Sequence, residues 1–156
     1  MSVKDPLWLA HHLRRKKRVL IMAGALCDQI ELEGKSLLDY AAEISKKMKA
    51  PVAATGNTVN GLRQRGIDTS KAWAIEMVNF THYEWQHPII DGKPDAMVFI
   101  GYSPTLASNL ASAVKDVETV VLGHTYVDEA TYSLSSTTSY KDWQKELSDF
   151  VQALEN

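Results

Sequence analysis

The 156-residue chain is long enough for one buried core and short for two, so we expect a single domain over residues 1–156. A hydrophobic fraction of 45% and a charged fraction of 23% exclude a disordered, collagen-like or low-complexity protein. The formal net charge of -2 excludes a basic field over the whole molecule, so the composition indicates no nucleic-acid partner.

Residues 1–17 are predicted to form a helix that precedes the first strand. Asp5 before Pro6 is a helix-start signal, because the carboxylate can cap the helix and proline suits its first turn. The basic run RRKKR, residues 14–18, would then lie at the helix C-terminus, where cations complement the helix dipole. We interpret this run as a solvated helix end, with docking onto an acidic partner as the minor alternative.

Apolar runs alternate with amphipathic stretches from residue 18 onward. Strands are predicted at residues 18–23, 51–56, 95–101 and 118–123, with an edge strand around 132–134. Helices are predicted at 35–49, 57–66, 72–85 and 103–114, and from Ser139 to the end of the chain. Alternation with connections long enough for crossovers predicts a doubly wound α/β domain, with a mostly parallel sheet and helices on both faces.

Helical spacing predicts which side chains of these helices enter the core. The predicted buried stripes are Leu37, Ala41, Ile44 and Met48; Ile75 and Val78 with His82 and Trp85; Leu106, Leu110, Ala113 and Val114; and Trp143, Leu147, Phe150 and Leu154. Ser139 and Asp142 have the spacing of a capping box. Trp143 is therefore expected in the core, whereas Trp8, near a terminus, is expected at an interface.

A glycine ends each of four predicted strands: Gly24, Gly56, Gly101 and Gly123. The carboxyl ends of parallel strands meet at one edge, where open α/β sheets bind their ligands. Glycine there allows a sharp turn and a close approach of a ligand to the backbone, which favours a phosphate or dinucleotide crevice. Simple strand termination explains the glycines equally well. The segment ALCDQIELEG after Gly24 is neither a G-x-G-x-x-G motif nor a P-loop.

Reactive groups in catalytic or metal-binding patterns are scarce. One cysteine, Cys27, cannot form an internal disulfide or hold an iron–sulfur cluster, and without a recognisable base we expect an inert thiol. The five histidines lack the spacing of a zinc site, so no metal site is predicted. Glu31 and Glu33 fit a solvated loop, and no G-x-S-x-G elbow occurs. We therefore expect no catalytic residues and no complete enzyme.

The sequence also gives expectations about location. No apolar run reaches the roughly 20 residues of a membrane span. The N-terminus MSVKDPLWLAHH lacks the apolar region and cleavage site of a secretory signal. We expect a cytoplasmic protein without a membrane partner.

Three segments together resemble one protein family. RVLIMAG, then SLLDYAAEISKKMKAPVAATGNTVNGLRQRG, then PDAMVFIGYSPTLASNLASAVK resemble the epsilon subunit of archaeal acetyl-CoA decarbonylase/synthase, the small subunit of its carbon monoxide dehydrogenase component. The most specific pieces are the PVAATG strand, the L-x-x-R-G helix ending and the D-x-x-V-F-I-G strand. The match spans most of the chain.

The resemblance implies a Rossmann-like domain of the DHS-like NAD/FAD-binding type. It implies a large nickel–iron–sulfur subunit as partner, which interconverts CO and CO2, in an assembly of two large and two small subunits. The small subunit would be a non-catalytic accessory that stabilises the large one and aids electron transfer to FAD. Two alternatives stay open: a stand-alone nucleotide- or flavin-dependent enzyme, and a self-associating binding domain without chemistry, since the isolated chain could form a homo-oligomer.

The predicted strand ends would give a cofactor a defined place. If FAD or a nucleotide binds, we expect its diphosphate against Gly24 and Ala25. The same edge would be lined by Gly56, Asn57, Gly101, Tyr102 and Ser103.

Overall fold

The computed structural model describes residues 2–134 and 139–155. Within these residues the strands are β1 (Ser2–Lys4), β2 (Val19–Ala23), β3 (Glu31–Leu32), β4 (Lys35–Ser36), β5 (Val52–Ala54), β6 (Thr69–Lys71), β7 (Ala96–Ile100), β8 (Glu118–Val121) and β9 (Tyr132–Leu134). The α-helices are α1 (Pro6–Arg14), α2 (Leu37–Met48), α3 (Thr58–Gln64), α4 (Ala74–Phe80), α5 (Pro104–Ala113) and α6 (Tyr140–Ala153). A short 3-10 helix, Ala25–Asp28, follows β2.

Seven of the described strands form one parallel sheet in the order β1-β9-β8-β7-β2-β5-β6. The chain starts its main path at the central β2, moves outward through β5 and β6, and returns to β7 on the other side of β2. From there it continues outward to β8 and β9. The connections therefore diverge between β2 and β7, and such a point leaves a crevice at the carboxyl edge of an open α/β sheet.

The two central strands are buried on both sides, as their sequences predict. Every residue of β2 and of β7 is buried, which is the pattern of parallel strands covered by helices on both faces. Successive side chains point to opposite faces, so Ile21 enters the core under α1, α2 and α6, whereas Met22 enters the core under α4 and α5. The predicted α/β class is confirmed.

Short polar residues begin the helices where the sequence predicts helix starts. Asp5 accepts a bond from the Trp8 amide at 2.9 Å, and Ser103 accepts one from the Leu106 amide at 3.2 Å. Ser139 caps α6 by accepting from the Asp142 amide at 3.2 Å. These side chains satisfy backbone donors that a helix start leaves open. No helix in the described residues is long and apolar enough to cross a bilayer.

The prediction for residues 1–17 is wrong in part. A strand, β1, precedes the helix and pairs in parallel with β9, so β9 is an inner strand and β1 is the edge. The helix ends at Arg14. Three residues are too short to show an alternating pattern, and their parallel partner lies far away along the chain, so no local signal announces β1.

The helix predicted at 72–85 is also wrong in extent. It covers only Ala74–Phe80, and β6 precedes it. Thr81 closes the helix by donating its hydroxyl to the Val78 carbonyl at 2.6 Å, which leaves His82 and Trp85 in a following loop. Ile75, predicted to be buried, is 52% exposed.

The buried stripe of α5 is shifted from the predicted one. Ala107, Leu110 and Ala111 are buried, whereas Leu106 is 45% exposed. Ala113 and Val114 are half-buried. The stripe of α6 is confirmed, since its four predicted residues are all buried. α5 contains several alanines, and alanine is tolerated on either face of a helix. Helical spacing alone therefore does not show which of these alanines face the sheet.

The predicted loop at Glu31 and Glu33 is a small antiparallel hairpin, β3–β4, with both glutamates exposed. Its turn holds Glu33 and Gly34 at positive φ, 52° and 82°. Two such residues match the backbone of a tight hairpin turn.

Candidate functional site

The loops after β2 and β7 meet at the carboxyl edge of the sheet. The Gly24 amide donates to the Ile100 carbonyl at 2.9 Å, and the Leu26 amide donates to the Gly101 carbonyl at 3.0 Å. Thr58, at the start of α3, donates its hydroxyl to the Asp28 carboxylate at 3.0 Å, and the Gly24 carbonyl lies 3.4 Å from the same hydroxyl. The structure thus brings together three of the strand ends that the sequence singles out.

The glycines of this junction are required by contact between the loops themselves. A Cβ on Gly24 would lie 2.5 Å from the Gly101 carbonyl oxygen, and a Cβ on Gly101 would overlap the Cys27 sulfur. Gly101 also has φ +84°, a conformation that favours glycine. The close approach that we expected a ligand to make is therefore made by neighbouring backbone.

Backbone donors after β2 are largely committed inside the protein. Besides the Gly24 and Leu26 bonds, the Cys27 amide donates to the Gly24 carbonyl at 3.0 Å. A diphosphate needs several free amides pointing toward it, as at the start of a long helix. Exposed Ala25 begins only a four-residue 3-10 helix. The turn at Gly24 and Ala25 therefore leaves few free amides for a dinucleotide diphosphate.

The other predicted site residues lie on two sides of the Gly24–Gly101 junction. Gly56 lines a groove of about 520 Å³ between the β5 and β6 ends and α5, and exposed Asn57 precedes α3 without a side-chain capping bond. Gly101 and Tyr102 line a smaller cavity on the β8 side. Ser103 uses its hydroxyl to cap α5. The sequence predicted that these residues lie at one edge of the sheet, but not that they divide between two cavities.

The smaller cavity, here called the α5–α6 cavity, has a volume of about 110 Å³ and lies between the starts of α5 and α6. It is lined by Leu26, Ile30, Gly101, Tyr102, Pro104, Ala107, Val121, Gly123, His124, Thr125, Val127, Tyr140 and Trp143. His124 makes edge contacts with the rings of Tyr140 and Trp143, at centroid distances of 5.1 and 5.8 Å. Sequence reasoning found Gly101, Tyr102 and Gly123 of this set but missed Thr125, which no motif marks.

Cys27 is buried beside the Gly24–Gly101 junction. Burial, and next the negative charge of Asp28, raises the pKa of the thiol to about 12, although the Gly24 backbone opposes this shift. A thiol that stays protonated is a poor nucleophile. The expectation of an inert cysteine agrees with this environment.

His12 makes contacts of another kind, with a carboxylate and an aromatic ring. His12 Nε2 lies 2.9 Å from a carboxylate oxygen of Glu118, which also pairs with Lys16 at 2.7 Å. His12 stacks on Trp8, whose side chain is half-buried and also meets Tyr132 edge-on at 5.0 Å. Trp8, expected at an interface, thus packs against β9. Within residues 2–134 and 139–155 no three His, Cys, Asp or Glu side chains are grouped to hold a metal ion.

Apolar side chains form a continuous exposed region over α4 and α5. This apolar surface consists of Trp73, Ile75, Tyr83 and Leu106, which are 65%, 52%, 76% and 45% exposed. Trp73 and Ile75 line both the 520 Å³ groove and a neighbouring groove of about 390 Å³ that reaches Tyr83. Single exposed apolar residues are ordinary, whereas a contiguous group marks an interaction site.

Comparison with known proteins gives a consistent result. A family model described as CO dehydrogenase beta subunit/acetyl-CoA synthase epsilon subunit matches residues 3–151. The chain is 28% identical over 155 residues to the acetyl-CoA decarbonylase/synthase complex subunit epsilon 1 of Methanosarcina barkeri, covering 96% of this chain and 87% of the relative. It is 28% identical over 153 residues to epsilon 2 of Methanosarcina mazei, covering 94% and 86%. It is 26% identical over 157 residues to epsilon 1 of Archaeoglobus fulgidus, covering 97% and 82%.

Proposed function

This chain belongs to the CO dehydrogenase beta subunit/acetyl-CoA synthase epsilon subunit family, and from that membership we propose that it is a non-catalytic accessory subunit. Its partner would be the large nickel–iron–sulfur subunit of a carbon monoxide dehydrogenase component, in an assembly of two large and two small subunits. Its task would be to stabilise that subunit. The relatives named as complex subunits support this role.

The apolar surface is the observation that carries the proposal. A domain that works alone has little reason to expose Trp73 and Tyr83 along one groove, because each would leave a large apolar area in water. Aromatic side chains are also enriched at the centres of protein interfaces. We assign the apolar surface as the face that docks the large subunit.

The strand order supports the finer description of the fold as Rossmann-like. Counted from β2 and without the hairpin and β1, the six sheet strands lie in the order third, second, first, fourth, fifth, sixth. This is the order of doubly wound dinucleotide-binding sheets. A DHS-like type within this class stays a prediction.

Binding of FAD, and a part in electron transfer to FAD, also stay predictions. The region in which FAD would bind is smaller than the region predicted from the sequence. Because the amides of Gly24, Leu26 and Cys27 are already bonded, the diphosphate would have to lie away from the β2 turn. Titrating the isolated chain with FAD and with NAD, followed by flavin fluorescence and by calorimetry, tests this role. Absence of binding below about millimolar concentration, where the binding free energy is only about -4 kcal/mol, would contradict it.

The docking role is tested by co-expression with the large subunit under anaerobic conditions. Trp73→Asp and Leu106→Asp place a charge in the apolar surface. Leu7→Asp is a matched control, because Leu7 is 54% exposed on α1, which packs on the opposite face of the sheet. We expect wild type and Leu7→Asp to co-purify with the large subunit, and the other two variants to be retained at least about tenfold less.

Two results would contradict this assignment. Equal retention of all four chains would show that the apolar surface is not part of the interface. Substrate turnover by the isolated chain, without any nickel- or iron-containing partner, would favour the stand-alone enzyme instead.

A further inference from the structure

Three polar atoms of residues that line the α5–α6 cavity have no hydrogen-bond partner among the described residues. They are the Tyr102 hydroxyl, the Thr125 hydroxyl and the Trp143 indole nitrogen, and each is buried from solvent. Trp143 is only 3% exposed. Buried polar side-chain atoms are nearly always bonded, because leaving one unpaired forfeits its hydration without compensation. Three such atoms around one cavity indicate that something else supplies their partner.

The chemistry of the three groups limits what that partner can be. The indole N–H is a donor only, and a hydroxyl can donate as well as accept. Burial raises the pKa of Tyr102, so this hydroxyl keeps its proton and remains a donor. An oxygen acceptor can pair with any of the three groups, two at a time through its two lone pairs, whereas a pure donor cannot satisfy Trp143.

The remaining lining favours a neutral molecule with an apolar body. Leu26, Ile30, Val121 and Val127 contribute hydrocarbon, and the lining residues include no Lys, Arg, Asp or Glu. Among these lining residues His124 is the one with a basic ring, so a charged ligand would lose its hydration with little fixed counter-charge in return. The volume of about 110 Å³ is smaller than the engineered cavity of about 150 Å³ that takes up benzene. A flavin or a nucleotide is too large for this space.

We infer that the α5–α6 cavity is a binding site for a small neutral molecule of about six heavy atoms or fewer, whose oxygen accepts hydrogen bonds from the Trp143 indole and from the Tyr102 or Thr125 hydroxyl. This site is separate from the apolar surface and goes beyond the docking role. Its position at the carboxyl ends of β7 and β8 is where open α/β sheets bind ligands.

A matched pair of probes tests the inference on the full chain. Cyclopentanone carries a carbonyl oxygen, and methylenecyclopentane has nearly the same shape without an acceptor. The indole N–H resonance of Trp143 in the nitrogen-15-labelled protein, assigned by its loss in Trp143→Phe, reports directly on one of the three donors. We expect cyclopentanone to shift this resonance saturably, while the resonances of Trp8, Trp73 and Trp85 stay in place.

The acceptor and at least one hydroxyl should each matter. Methylenecyclopentane should bind at least about fivefold more weakly than cyclopentanone, and at least one of Tyr102→Phe and Thr125→Val should weaken cyclopentanone binding by about fivefold. Three outcomes would overturn the inference. Equal binding of both probes would mean that the cavity takes up any apolar molecule of this shape. No saturable shift would mean that only water enters the cavity, and a shift at Trp73 instead would mean binding on the apolar surface.

Thermal unfolding without ligand gives an independent readout. Removing a buried hydroxyl that no protein group pairs with breaks no bond within the protein, so Tyr102→Phe and Thr125→Val should unfold at temperatures no lower than the wild type. A clear loss of stability in both variants would show that these hydroxyls are already bonded inside the free protein, and the inference would fail. The outcome does not depend on whether the chain docks a large subunit.

Discussion

Gly24 and Gly101 lie against each other at the ends of adjacent strands, so closely that a Cβ on Gly24 would stand 2.5 Å from the Gly101 carbonyl oxygen. This contact, with the hydrogen bond from the Gly24 amide to Ile100, joins the loop after β2 to the loop after β7. The central crevice of the sheet is therefore closed at this point by the chain itself.

The packing role of Gly101 can be separated from its backbone conformation by comparison with Gly34. The two have nearly equal φ, 84° and 82°, but a Cβ on Gly34 meets nothing within 4 Å, whereas one on Gly101 overlaps Cys27. We expect Gly34→Ala to lower the free energy of unfolding by about 1 kcal/mol, from strain alone. Gly101→Ala should lower it by about 3 kcal/mol or more, because overpacking is added. Urea unfolding of both variants measures the difference, and equal losses would mean that the junction relaxes freely.

The sequence predicts glycines at these strand ends, but it does not predict which group each glycine contacts. Glycine after a strand signals a turn or a close approach, and the approaching group can be a ligand or another loop. Only the register between β2 and β7, which pairs Ala23 with Ile100, puts Gly24 next to Gly101. That register depends on residues far apart along the chain, so no local pattern contains it.

Cys27 should be unreactive in the folded protein. Its side chain is fully buried, and its pKa is raised to about 12, so almost no thiolate is present near pH 8. We expect a colorimetric disulfide reagent to release no chromophore from native protein over an hour, and one equivalent after unfolding in guanidinium. Rapid stoichiometric labelling of the native chain would instead mean that the loop after β2 opens readily.

Trp73 and Trp143 should differ sharply in their effect on stability. Trp143 is 3% exposed and Trp73 is 65% exposed. Trp143→Ala should lower the free energy of unfolding by about 3–5 kcal/mol through the lost burial and the cavity left behind. Trp73→Ala should change it by less than about 0.5 kcal/mol. Chemical unfolding provides both values, and a large loss at Trp73 would indicate a structural role and weaken its assignment to the docking surface.

Which elements the sequence revealed follows from how completely they are buried. The strands β2 and β7 are continuous apolar runs, because both of their faces are covered. In contrast, β6 has the sequence TSK, with Ser70 and Lys71 exposed at the edge of the sheet, and such a strand looks like a loop. Helical spacing also did not predict the apolar surface. Ile75 and Leu106 have the spacing of a buried stripe, but both side chains are exposed.

Glu118 ties the start of β8 to α1 and should make stability depend on pH. Burial alone would raise the pKa of this carboxyl, but hydrogen bonds from Lys16 and His12 outweigh burial and hold the pKa below its usual value. The folded protein thus binds this proton less readily than the unfolded chain does. The stabilisation is fully present above the ordinary carboxyl pKa and is lost as the pH falls through the lowered one.

Replacing Glu118 by Gln tests this linkage. Because the side chain is about a quarter exposed, at 28%, we expect only about 0.5–1 kcal/mol lower free energy of unfolding than wild type near pH 7. The difference should shrink as the pH falls through the lowered pKa of this carboxyl, because the wild-type side chain then also becomes protonated. Urea unfolding across this range measures it, with Glu84→Gln, at an exposed loop position, as the control for losing one negative charge. A difference that is constant with pH would assign the effect of Glu118 to packing rather than to its charge.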